Sequence, residues 1–206
     1  MLALFDLEQI LENGGLLVLA AIVFAESGLL IGFFLPGDSL LFVAGFLASE
    51  AGKNVLPPIP LVILVTVIAA IVGDQVGYWF GKKVGPSLFD RPKSKLFNPA
   101  HVVRAHTFLE KYGNQTIVLA RFVPIVRTFA PVVAGVGGMD YKTFVKFNII
   151  GGIGWGAGVP LLGFLLGRIE VVKDRIEIAI LAVVIISILP VVFEYISHRR
   201  GRSPSK

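Results

Sequence analysis

The chain has 206 residues, 55% of them hydrophobic, with a mean hydropathy of +0.80 and a net charge of +5. That apolar share already exceeds the roughly 45–50% typical of soluble domains counted with glycine, before 23 glycines are added, and its concentration in long blocks points to a membrane protein. The lack of cysteine excludes disulfides and thiolate chemistry, dispersed His101, His106 and His198 argue against a zinc site, and basic residues lying between apolar blocks follow membrane topology rather than nucleic-acid binding.

Residues 1–13 contain Asp6, Glu8 and Glu12 but no Lys or Arg, unlike the basic start of a secretory signal. Leu4, Leu7, Ile10 and Leu11 fall at helical spacing, which predicts an interfacial helix. Residues 14–49 form an apolar block in which only Glu26 and Asp38 carry charge. This block is too long for one ordinary span and too short for two, and Leu35-Pro36-Gly37 interrupts it. A re-entrant hairpin fits, with arms of about 15 residues reaching roughly 22 Å each. Residues 61–81 read as a full span containing Asp74, with Tyr78 and Trp79 near its end. The following stretch to 114 is the most basic of the connecting segments. Within it, residues 98–112 are expected to form an amphipathic surface helix, opened by Asn98-Pro99 and stopped by Gly113.

Residues 116–139 combine Arg121 and Arg127 with Pro124 and Pro131. Each central arginine costs ~2.5–3.5 kcal/mol on insertion scales, so a second re-entrant hairpin is expected, with breaks at these prolines as at Pro36 and Gly37. Residues 143–167 and 176–197 read as ordinary spans, and 198–206 is a basic tail expected in the cytoplasm. Counting back from that tail places the basic loop after residue 81 in the cytoplasm as well. Hairpin plus span then occurs twice, entering from opposite sides. The expected fold is an all-α membrane domain: two opposed re-entrant hairpins plus about three full transmembrane helices in an inverted repeat, with short interfacial helices, as in secondary transporters.

The charges inside these blocks are the candidate site. Glu26, Asp38 and Asp74 are carboxylates in apolar surroundings, suited to taking and releasing protons. The alternatives are simple pairing with arginine, a helix-capping role for Asp38 and, for Asp74, a pair with Lys146. Arg121 and Arg127 are suited to holding an anionic phosphate headgroup, or to neutralising Glu26 and Asp38. Gly73, Gly77, Gly81 and Gly85 form one helix face for close packing. The glycines between 151 and 158 lack the context of a nucleotide loop, and no serine has a His–Asp set around it, so no enzymatic activity and no cofactor are expected.

The sequence resembles the DedA family of VTT-domain membrane proteins over nearly its whole length. Three motifs carry the likeness: Glu26 with Phe34-Leu35-Pro36-Gly37-Asp38; Gly73-Asp74 with Gly77-Tyr78, Gly81-Lys82 and Gly85; and Arg121-Phe122-Val123-Pro124 with Arg127-Thr128, followed by Ala134-Gly135 and Met139. The resemblance implies a multi-pass protein of the bacterial cytoplasmic membrane that recycles undecaprenyl phosphate and supports the envelope, with Glu26, Asp38, Arg121 and Arg127 as functional residues. The expected activity is a proton-coupled flippase whose partners are an anionic lipid and protons. A nonspecific phospholipid scramblase and a small-ion/proton exchanger are the rival expectations. The small-residue faces also permit a homo-oligomer.

Overall fold

The computed structural model describes residues 2–29, 37–89, 115–121 and 124–169. Pro36, the amphipathic helix expected at 98–112, the span expected at 176–197 and the tail 198–206 lie outside the described residues. Within them the chain is all-helical: α1 (Leu2–Gly28), α2 (Gly37–Leu47), α3 (Ile59–Phe89), α4 (Thr116–Ala120), α5 (Pro124–Val136) and α6 (Tyr141–Leu166). Gln9–Gly28, Ile59–Val84 and Tyr141–Leu166 are long and apolar enough to cross a membrane.

Local chemistry explains several boundaries. α1 departs from helical geometry at Gly15, with φ 54° and ψ −149°, a conformation open to a residue without a Cβ. This separates the acidic start of the chain from the apolar segment that ends beside Glu26. α2 begins at Gly37 and carries Asp38 in its first turn, next to the partial positive charge of the helix N-terminus. α5 begins at Pro124, where the missing amide would have had no helical partner. α6 is capped by Asp140, whose carboxylate accepts from the Thr143 amide at 3.0 Å.

Two expectations are corrected. Pro131 is not a break: α5 runs through it from Pro124 to Val136. Its Cβ lies close to the open face of Gly77, where a side chain on α3 would crowd it. The helix expected over 61–81 also continues to Phe89, past exposed Lys82 and Lys83. Its glycines do not end it, because Gly73 meets the Gly28 and Phe24 backbones and Gly81 meets Val132 of α5.

The packing interleaves early and late elements. α3 contacts α1, α5 and α6, while α2 packs mainly on α6. Backbones come close where glycine permits it: Gly45 on Pro160, Gly163 on Phe42 and Gly135 on Tyr78. One apolar core lies between α1, α2, α3 and Trp155. A second joins Tyr78 and Phe144, stacked at 4.5 Å between ring centroids, with Ile117, Ala134 and Met139. Leu64, Ile68, Val72 and Val76 recur every four residues on the opposite side of α3 and stay exposed, as do Ile149, Ile150, Ile153 and Leu161 on α6. Such an apolar exterior is suited to hydrocarbon rather than water.

Candidate functional site

Glu26 sits near the end of α1 and Asp38 at the start of α2, so the interruption between these helices brings the two carboxylates together. Arg127, one turn into α5, donates Nη2 to Glu26 Oε1 and Nη1 to Asp38 Oδ1. Glu26 is 2% exposed, and its carboxylate packs directly against the Gly37 backbone, where any side chain would collide with it. The triad therefore depends on glycine at the first position of α2.

Trp155 of α6 completes this arrangement. Its indole Nε1 donates to Asp38 Oδ1 at 2.6 Å, and the Arg127 guanidinium carbon lies 4.6 Å from its ring centroid. One aromatic ring thus holds the acid by its edge and the base by its face. The neighbouring backbone is fixed in turn: the Thr66 hydroxyl of α3 donates to the Gly156 carbonyl at 2.6 Å, and Gly156 rests on Val67.

Arg121 occupies a separate, more enclosed polar cluster. Its Nη2 donates to Asp74 Oδ2 of α3 and to Asn148 Oδ1 of α6. Asn148 Nδ2 donates onward to the Ile71 carbonyl at 3.2 Å. Asp74 and Arg121 are each 4% exposed and Asn148 is fully buried. Arg121 also lies across Gly151, leaving no room for a Cβ there. The partner of Asp74 is therefore Arg121 and not Lys146, which is exposed with its amine 5.9 Å from the Phe147 ring centroid.

The five charges picked out in the sequence thus form two sets rather than one. Every acid comes from the first half of the chain and both arginines from the second. Trp155 and Asn148 were missed. Asn148 had a signal, a polar amide within an otherwise apolar span. So did Trp155, which stands mid-helix and away from the interface where membrane tryptophans usually gather. A cavity of about 530 Å³ between residues 48–59 and the end of α6 is lined by Glu50, Asn54, Phe164 and Arg168, and by none of these site residues.

Residues 35–165 match the VTT domain, a segment that includes both clusters apart from Glu26. The chain is 46% identical to "Protein DedA" of Escherichia coli over 184 residues, 89% of this chain and 83% of that one. The chain belongs to the DedA family. Other relatives in the family include an uncharacterized membrane protein of Mycobacterium tuberculosis, 47% identical over 82% of this chain and 73% of its own length. "Inner membrane protein YqjA" of Escherichia coli is 36% identical over 75% and 68%. No solved structure matches the chain. Family membership agrees with the three long apolar helices in making this an integral membrane protein of the bacterial inner-membrane type.

Proposed function

We propose that this DedA-family protein is a proton-coupled flippase of a polyprenyl phosphate such as undecaprenyl phosphate, in the bacterial cytoplasmic membrane with its C-terminus in the cytoplasm. The reading rests on the resemblance for the lipid and on one observation for the mechanism: Arg127 of α5 is shared between two carboxylates, one from α1 and one from α2. A guanidinium binds phosphate oxygens in the same forked geometry in which it binds carboxylates. A phosphate monoester can therefore replace Glu26 and Asp38 on Arg127, and the displaced pair supplies the group that answers with a proton. The isoprenoid chain remains in hydrocarbon against the apolar exterior of α3 and α6.

The interleaved packing supports an inverted repeat of two re-entrant hairpins. α2 follows the first interruption and packs on α6, the long helix of the second half. α5 follows the second interruption and packs on α3, the long helix of the first half. Each hairpin would thus lean on the other repeat, with the ion-pair triad at their junction. Rocking of one repeat against the other would expose Arg127 to alternate leaflets.

The test is transfer of labelled undecaprenyl phosphate between leaflets of proteoliposomes, with and without a pH gradient. Transfer that responds to the gradient and is lost in Arg127→Ala is expected. Transfer by Arg127→Ala at the wild-type rate rejects the arginine role. Equal movement of zwitterionic phospholipids, indifferent to pH, would show a nonspecific scramblase instead.

A further inference from the structure

We propose that Glu26 alone carries the coupling proton, while Trp155 holds the Asp38 carboxylate out of the exchange. The inference deepens the reading of Arg127 as the anion-binding group and rests on it.

The two acids have unequal surroundings. Oδ1 of Asp38 has two donors, Arg127 Nη1 and Trp155 Nε1. The Asp38 side chain also keeps 17% exposure and lies in the first turn of α2, where the helix N-terminus favours negative charge. Glu26 is more enclosed, with 3% side-chain exposure. Its Oε1 accepts from Arg127 and its carboxylate lies against the backbone of Gly37 at the same helix terminus, while among the described residues Oε2 has no side-chain partner despite full burial. The charged groups facing Glu26 are Arg127 from α5 and Asp38 from α2. On α3 the nearby charge is Asp74, already engaged by Arg121. Arg127 is thus the countercharge of Glu26, and Asp38 is a like charge beside it.

When an anion takes the Arg127 guanidinium, both acids lose the same partner with different consequences. Asp38 retains the indole N–H and a less enclosed position. Glu26 is left as an enclosed carboxylate facing an anion and a second carboxylate. An isolated buried charge is so costly that the group is neutralised instead. A proton from water adds to Glu26, giving the neutral acid, as the Glu26–Arg127 pair opens. It returns to water when the anion leaves and the guanidinium swings back. The charges are accounted for at each stage: the fully ionised phosphate brings two negative charges and one proton enters with it, so the occupied site carries one more negative charge than the empty one. Trp155 is a positioning residue in this scheme, since it acts only by holding the Asp38 carboxylate.

Proton uptake on binding separates the two acids without requiring transport. Purified full-length protein in detergent is titrated with farnesyl phosphate by calorimetry in buffers of different ionisation enthalpy, at a pH where the free phosphate is fully ionised. The expected uptake is about one proton per lipid for the wild type and for Asp38→Asn, and about zero for Glu26→Gln. Trp155→Phe keeps an aromatic face for Arg127 but removes the N–H, so uptake should rise above the wild-type value as Asp38 joins in. This last variant leaves both acids in place and decides the matter even where Glu26→Gln fails to fold. Uptake retained in Glu26→Gln, lost in Asp38→Asn, or unchanged in Trp155→Phe overturns the assignment. Wild-type binding that requires Arg127 but takes up no proton overturns it too, while leaving the arginine role standing. Binding that survives Arg127→Ala removes the underlying reading and this inference with it.

Discussion

Asp38 Oδ1 accepts from both Arg127 and the Trp155 indole, while the Trp155 ring lies beneath the same guanidinium. The two roles of this ring can be separated. Trp155→Phe removes a hydrogen bond to a charged group and should cost about 1.5–3 kcal/mol. Trp155→Ala also empties a core position and should cost ~3–5 kcal/mol. Thermal unfolding in detergent gives the order, and equal losses for the two variants would mean that the ring adds nothing beyond its N–H.

The Arg121 cluster predicts a different behaviour. Its members are enclosed between α3, α4 and α6, and breaking a buried ion pair leaves the surviving charge stranded. Asp74→Ala alone should destabilise by about 3–5 kcal/mol. The double variant Asp74→Leu with Arg121→Met removes both charges and should recover most of that loss. If stability returns without transport, Arg121 or Asp74 has a part in the reaction. If both return, the cluster is a strut between the helices. A single Asp74→Ala variant of wild-type stability would contradict the pairing.

These two clusters show what the sequence could and could not disclose. Charges in apolar blocks are expensive, so Glu26, Asp38, Asp74, Arg121 and Arg127 stood out individually. The glycine strip on α3 also declared its packing role through its spacing. Partner choice was hidden, because hydropathy fixes depth only coarsely and says nothing about which helix faces which. Lys146 was therefore the candidate partner for Asp74, and the pairing with Arg121 follows only from the packing of α4 and α6 on one another. Pro131 misled for a related reason. Proline weakens a helix locally, but a glycine on the facing helix can accommodate its ring, and that complementarity exists only in three dimensions.

The cap on α6 makes a pH-dependent prediction outside the hydrocarbon. Asp140 is exposed, and the hydrogen bond from the Thr143 amide holds its carboxyl below the usual carboxylate range. A carboxyl whose value is lowered by folding stabilises the fold above its unfolded value, about 3.9, and that contribution fades as pH falls through the lowered one. Asp140→Ala should therefore melt earlier than the wild type at neutral pH. The difference should shrink on acidification below the carboxylate range. A gap that persists unchanged in acid would assign the effect to something other than the ionised cap.

Gly37 provides the sharpest link between backbone and site. Its backbone is helical and accepts any residue by conformation, so a substitution there tests space alone. An added Cβ would collide with the Glu26 carboxylate, which must then leave its place beside Arg127. Gly37→Ala should cost about 1–3 kcal/mol as an overpacked site and should abolish coupled lipid transfer, since the triad can no longer close. Gly158→Ala is the matched control, because a Cβ there meets nothing within 4 Å. Both variants change glycine to alanine in a helix, where propensity alone favours alanine by up to about 1 kcal/mol. A Gly37→Ala protein as stable and as active as Gly158→Ala would mean that the Glu26–Arg127 pair does not require the close approach of α2, and the proposed proton site would lose its geometry.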